Sequence, residues 1–267
     1  MISANSMRMY GKINGPLLLL AYLQFLVFVY ASFWVGFLFT LGKTFVLIFG
    51  IEYNTRHKAP ICTDVIIREN YPWELNWHVV QTVSIEYLLV TSLFSQSSYW
   101  FGPETALTTD LLWFIPTAFA FELVFDFFHY WAHRGIHESP WLYRHVHKKH
   151  HSHRNVNCQV TFYEEPSELV LTNVLPTVVT LMILPPMSKF MFSLILIYKE
   201  YIEICGHVGK KCYPSSSFPQ CIWLPKWFGI ELYSEDHFNH HYHLTCNYAK
   251  RFALWDQLFG TRRLTNY

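Results

Sequence analysis

The chain has 267 residues, of which 52% are hydrophobic, 19% aromatic and only 15% charged, with a formal net charge of +1. Typical soluble domains carry about 25% charged residues, so the composition argues against an ordinary water-soluble domain. The near-zero charge argues against nucleic acid as a partner.

The apolar excess comes in blocks. Leu17–Leu41 holds 25 residues without a charge, more than the roughly 20 that cross a bilayer. The run is too long for a signal-peptide core of about 7–15 residues and lacks a small-residue cleavage site, so it reads as a retained anchor. Asn76–Phe101 is a second candidate despite His78, Gln81 and Glu86. Ala106–Phe128 is a third, carrying Asp110, Glu122 and Asp126 and ending at His129. Leu169–Leu184 and Met187–Ile204 flank Pro185-Pro186 and predict a hairpin, whose arms at about 1.5 Å per residue reach roughly 24–27 Å. The expectation is an all-α, multi-pass integral membrane bundle of four to five membrane helices, two of them a hairpin, with a helical cap. No internal repeat or flexible linker appears.

Counting crossings from an inward Leu17–Leu41 places the loop Gly42–Glu74, with Lys43, Arg56, Lys58 and Arg68, on the cytosolic side. The tail with Arg8 and Lys12 then lies outside. Ala106–Phe128 delivers His129 to the cytosol, in company with Arg134, Arg144, Lys148, Lys149 and Arg154, as the positive-inside rule favours. The hairpin returns His207 to the same face. The six cysteines form no C-x-x-C pair, and four of them lie in the histidine-bearing segments on that reducing side, so thiols rather than disulfides are expected.

Twelve of the 15 histidines fall in two stretches, eight in His129–His153 and four in His237–His243. His129 and His133 are i, i+4; His147, His150 and His151 are i, i+3, i+4; His237, His240 and His241 repeat that pattern. On a helix such offsets set imidazoles on one face, and neutral imidazole is the commonest protein ligand for a transition metal. His137 continues the His133 face and is ligand or ligand support. His145, His153 and His243 read as bystanders, and His57 and His78 as structural. Lys148, Lys149, Lys210 and Lys211 mark a headgroup surface, or a docking face for an acidic electron donor. Trp100, Trp113, Trp223 and Trp227 read as interface anchors. Asp256 reads as a hydrogen-bond acceptor.

The combination H-x-x-x-H, H-x-x-H-H, H-x-x-H-H in a multispanning chain resembles the fatty acid hydroxylase / sterol desaturase superfamily of membrane di-iron oxygenases, which includes C-4 methylsterol oxidases and cholesterol 25-hydroxylases. HRGIHESPWLYRHVHKKHH is similar to the superfamily's first two histidine boxes with their linker. Gly206-His207 is similar to its element after the hairpin, and NYAKRFALWDQLFGT (Asn247–Thr261) to its C-terminal signature. The resemblance implies a region 1–105 that anchors and a catalytic region 106–267 that includes the 169–204 hairpin. It implies two non-heme Fe ions held by His129, His133, His147, His150, His151, His207, His237, His240 and His241. Asp126 and Asp236 are candidates for orienting imidazole N–H groups. Relatives usually carry a His-Pro-x-Glu element after the second box. Here the text is Glu165-Pro166-Ser167-Glu168, with Glu165 at the histidine position as a candidate ligand or acceptor.

The activity this resemblance implies is that of a lipid monooxygenase using dioxygen on a sterol or a long acyl or alkyl chain. Attack on an unactivated C–H bond exceeds amino-acid chemistry, so a redox metal must carry it. Electrons would come from NAD(P)H through a separate cytochrome b5-like protein and reductase, since no His-Pro-Gly-Gly or Rossmann glycine element is present. For a eukaryotic host the resemblance implies the endoplasmic reticulum. A desaturase or C–C-cleaving enzyme with the same centre is the alternative. A metal transporter fits less well, because its ligands belong near the bilayer midplane.

Overall fold

A computed structural model describes residues 4–62, 72–153, 156–212 and 217–264. Arg68, Arg154 and the side chain of Arg8 lie outside the described residues. The apolar runs become six long helices: α1 (Ala4–Tyr30), α2 (Phe33–Thr55), α3 (Pro72–Ser95), α4 (Leu107–Glu138), α5 (Pro166–Ile183) and α6 (Lys189–Gly206). A short helix α7 (Ser234–His243) carries the last histidine cluster. Among the described residues there is no strand, only an isolated bridge between Pro60 and Lys210. The protein is an all-α membrane bundle; the spans Tyr10–Tyr30, Phe33–Thr55, Leu107–Glu138 and Pro166–Ile183 are long and apolar enough to cross a bilayer.

One expectation is overturned. Leu17–Leu41 is not a single crossing, because the helix breaks at Ala31-Ser32 and α1 and α2 form a hairpin. Ser32 takes an extended conformation (ψ 158°) at the start of α2, a position serine favours. The break is fixed from α3: the Tyr87 hydroxyl donates to the Phe33 carbonyl at 2.6 Å. Gly36 leaves room for that phenol, since a Cβ there would lie 2.3 Å from its oxygen. The start of α1 and the end of α2 therefore share one end of the bundle. The Tyr10 hydroxyl donates to the Gln220 carbonyl and Asn14 Nδ2 to Pro219 O, while Lys211 N–H reaches Ala59 O at 2.9 Å. All of these partners belong to the histidine end.

The other runs map onto α3 to α6. The hairpin turns over Leu184–Ser188, where Gly102 N–H donates to Met187 O at 3.0 Å and Ser188 Oγ donates to Asp110 Oδ2 at 2.8 Å, tying down the end away from the histidines. Helix α6 is central, packed on α1, α2 and α4. It buries Phe190, Leu194, Ile195, Ile197 and Tyr198 around most of its girth, the pattern of a fully enclosed helix. Its charges are neutralised inside: Lys43 and Gln24 meet at 2.9 Å and Lys43 pairs with Glu200, while Lys199 pairs with Glu203 at 2.9 Å. All six cysteines are free thiols.

Candidate metal centre

Helix α4 explains how the site is placed. Its buried stripe runs Phe114, Ala118, Phe121, Phe125, then His129 and His133, with steps of three and four residues that keep one face inward. The apolar stripe that seats the helix thus continues as an imidazole stripe. The chain then turns through Pro140–Leu142 into a π-helical turn, Tyr143–His147, and a 3-10 turn, His150–Ser152. Such departures from α-geometry recur at functional sites, and here they point His147, His150 and His151 at α4. A second π turn, Val170–Val174, interrupts α5. Helix α7 supplies His237, His240 and His241, and His207 follows the end of α6. Two residues on, Gly209 has φ +64°, and a Cβ there would lie 2.4 Å from Val156 O. Only glycine fits.

Two nests result. In the first, ligand atoms of His133, His137, His147, His151 and His240 lie within 4.8 Å of one another; in the second, those of His150, His207, His237 and His241 do. In the first nest Nε2–Nε2 distances are 3.0 Å for His133–His147, 2.9 Å for His147–His151 and 3.2 Å for His151–His240. In the second they are 3.2 Å for His150–His207, 2.9 Å for His207–His237 and 3.2 Å for His237–His241. The nests adjoin: the His151 and His241 ring centroids are 4.5 Å apart.

The opposite face of each ring decides what the Nε2 atoms are. His133 Nδ1 donates to Tyr248 O at 2.9 Å, His240 Nδ1 to Cys246 O at 2.8 Å, and His207 Nδ1 to Glu203 O at 2.9 Å. His147 Nδ1 lies 2.7 Å from Glu168 Oε1, both groups nearly fully buried. With the proton on Nδ1, each Nε2 presents a lone pair. Burial first, and neighbouring imidazoles second, hold His147, His150, His151, His237 and His241 well below the usual histidine range. Burial pulls His207 and His240 down to about 4. Neutral lone pairs facing one another at about 3 Å repel unless a cation sits between them. Imidazoles about 2.0–2.1 Å from one ion and at right angles stand about 2.9 Å apart, and at the tetrahedral angle about 3.3 Å. The observed spacings fall in that window. The residues fit a metal pair, and all-imidazole sets suit iron, zinc, copper or nickel.

His129 stands outside both nests. Its Nδ1 bonds Thr172 O at 2.7 Å, and its ring lies 5.2 Å from that of His133, so it lines the adjoining space. His137 joins the first nest. Glu165 is half-exposed and pairs with Lys149 at 3.2 Å, away from the imidazoles. Glu168, the last position of the same four-residue element, is the carboxylate at the site; the histidine-box pattern does not point to it, but the Pro-x-Glu spacing does. Glu164, Glu168 and Glu203 with Lys250 line a small cavity shared by both nests, and burial lifts the Glu164 carboxyl to about 8. His145 is exposed, and buried His153 packs on Tyr163.

The C-terminal segment supplies carbonyls rather than ligands. Asp126 accepts from the backbone N–H groups of Lys250, Arg251 and Phe252 at 2.7, 3.0 and 3.0 Å. Asp256 accepts from Tyr248 and Ala249 at 2.8 and 2.9 Å. These two carboxylates fix the loop whose Cys246 and Tyr248 carbonyls orient His240 and His133. Asp126 thus acts on the loop and touches no imidazole. Asp236 accepts from Tyr233 N–H at 3.0 Å and closes the first turn of α7. Arg251 is 1% exposed and pairs with Glu122 at 2.8 Å and Glu203 at 2.7 Å, locking the loop to α4 and α6.

A family profile described as fatty acid hydroxylase matches residues 118–261, more than half the chain and the full span from the α4 stripe to the carbonyl loop. The chain belongs to the fatty acid hydroxylase family. Among curated relatives, it is 29% identical to the fatty acid hydroxylase vlmA of Lecanicillium sp over 83% of this chain and 60% of that protein. It is 29% identical to a cholesterol 25-hydroxylase-like protein of Danio rerio over 52% of each. It is 30% identical to the very-long-chain aldehyde decarbonylase GL1-11 of Oryza sativa subsp. indica over 51% of this chain and 48% of that protein. The chain therefore spans about half to three fifths of the length of these relatives. No solved structure matches.

Proposed function

We propose that this family member is a membrane-embedded lipid monooxygenase with two non-heme irons, one per nest. The convergence of Nε2 atoms at 2.9–3.2 Å in two adjoining nests carries the reading. Bound there, the irons would supply dioxygen reduction and oxidation of a C–H bond. The chain's own part is positioning: Cys246 and Tyr248 carbonyls, Glu203 O and Glu168 fix the ring faces, and preset ligands need no reorganisation on binding. Burial keeps the rings neutral and water scarce, which strengthens every local electrostatic contact. In the first nest, Glu168 beside His147 is the carboxyl group that would carry a negative charge once a cation is bound.

The histidines gather at one end of the bundle, with Lys148, Lys149, Lys210 and Lys211 beside them, so the centre sits on the cytosolic side under the positive-inside rule. In a eukaryotic host that membrane is the endoplasmic reticulum. Electrons come from NAD(P)H through a separate cytochrome b5-like protein and reductase. Ligands at the bundle end rather than the midplane speak against a transporter. The test is mass spectrometry of lipids from cells expressing the protein and its His150→Ala variant. A product with one added oxygen atom that vanishes in the variant is expected. Loss of two hydrogens instead would make it a desaturase, and no His150-dependent product would overturn the reading.

A further inference from the structure

A series of oxidisable rings leads away from the first nest. Tyr248 packs against His133, His137 and His240, with ring centroids 5.8, 5.3 and 5.6 Å away. It also meets Tyr130 at 6.2 Å, and Tyr130 meets Trp131 at 5.5 Å. Tyr248 is 5% exposed and Tyr130 0%, whereas Trp131 is 44% exposed, so the rings step from buried imidazoles to the surface of α4. Arg134 lies over Trp131 at 5.6 Å, but Glu138 balances its charge at 2.7 Å. A phenol that loses an electron sheds its proton, so a buried tyrosine is oxidised readily only where an acceptor is built in. Tyr130 has one. Arg134 Nη1 donates to its oxygen at 3.1 Å, which leaves the phenol proton to Thr261 Oγ1 at 3.0 Å; Thr261 in turn donates to Asp256 Oδ1 at 2.7 Å.

Resting on the monooxygenase reading, we infer that Tyr248, Tyr130 and Trp131 form an outlet that passes electrons from a soluble thiol to the first nest when dioxygen has reacted there and no lipid is in place. The direction follows from the chemistry of the rings. Phenols and indoles yield electrons only to strong oxidants and hold none from a mild donor, so the series serves a discharge and not the supply from NAD(P)H. In each transfer Tyr130 loses an electron across the Tyr248 ring, its proton moves to Thr261, and the Thr261 proton moves to Asp256. Trp131 then returns the electron to Tyr130, and both protons move back. The oxidised indole, open to water, takes its electron from the thiol. Two transfers turn two thiols into one disulfide. In sum, dioxygen, NAD(P)H, one proton and two thiols become two waters, NAD(P)+ and the disulfide. The outlet spares the imidazoles from oxidation when lipid is scarce.

The test treats the full-length, detergent-solubilised, iron-loaded protein with hydrogen peroxide, which supplies oxidising equivalents without NAD(P)H, dioxygen or lipid. Freeze-quenched electron paramagnetic resonance reads the radical, and peptide mass spectrometry reads the oxidised residues. A tyrosyl or tryptophanyl radical is expected, with Trp131 oxidised ahead of Trp141 and Trp227, although these are 65% and 76% exposed. Attack by peroxide from solution would follow exposure instead. Added glutathione spares Trp131 and is recovered as its disulfide. Tyr130→Phe keeps the ring but has no proton to pass on, so the Trp131 oxidation is lost and damage moves to the nest histidines. Trp131→Phe keeps the metal and prolongs the tyrosyl signal. Metal content checks each variant's fold, and Thr261→Val, which cuts the proton relay, replaces Tyr130→Phe if the latter loses metal. Tyr143 also packs on His137, His147 and His151. A radical confined to Tyr143, tryptophan oxidation in order of exposure, or Trp131 oxidation unchanged in Tyr130→Phe overturns the inference. The expected signals in a protein that oxidises no lipid leave the outlet standing and overturn the monooxygenase reading instead.

Discussion

Removing the Glu168 carboxylate weakens one metal ion and leaves the other. Glu168 Oε1 stands 2.7 Å from His147 Nδ1, with both side chains 4% exposed or less, so neither water nor salt screens the contact. His147 belongs to the first nest alone. Glu168→Gln keeps an acceptor oxygen but removes the carboxyl group that can ionise beside a bound cation; Glu168→Leu removes the polar contact with His147 altogether. Groups that orient a ligand this way are worth about 10–100-fold in metal affinity, about 1.4–2.8 kcal/mol. The Gln variant belongs at the low end and the Leu variant at the high end. A chelator-competition titration of iron-loaded protein reads the two ions as two phases, and only one is to shift. Equal weakening of both phases, or of neither, refutes the assignment of Glu168 to a single nest.

His137→Ala lowers the affinity of the same ion by at least about tenfold, while His129→Ala, outside both nests, leaves both affinities within about threefold; the same titration checks this. Asp126→Asn offers one acceptor and one donor to three backbone N–H groups, which costs about 2–4 kcal/mol and lowers Tm by about 5–10 °C in a thermal melt, with metal affinity falling alongside as the carbonyl loop loosens. Metal-free protein loses stability on acidification. His207 and His240 are held near 4 when folded against about 6.5 unfolded, so below 6.5 the unfolded chain binds more protons. Its Tm is to fall steadily from pH 6.5 to about pH 4 and to stay level, as far as these two groups go, above pH 7.

Much of this was legible because the signals were local. The apolar runs forecast α5 and α6 within a few residues, overran the end of α3 by six and stopped ten short of the end of α4, and the i, i+3, i+4 histidines did converge. Ser32 escaped notice because a single small polar residue is a weak break signal within 25 uncharged ones; tertiary contact from Tyr87 fixes the turn. The Pro-x-Glu spacing points to Glu168, but the Cys246 and Tyr248 carbonyls were hidden for another reason. They act through the imidazoles from distant segments, and backbone carbonyls carry no residue identity. His129 shows the limit of periodicity: it shares the His133 face and, like His133, bonds a carbonyl through Nδ1, yet it is in neither nest.

The account stands on two adjoining cation sites, and metal analysis of the purified, reconstituted protein tests that most directly. Inductively coupled plasma mass spectrometry is to find two irons per chain, falling to one in Glu168→Leu and His137→Ala under chelator challenge. At most one tightly bound ion per chain in the unmutated protein, or two that are indifferent to those substitutions, would contradict it.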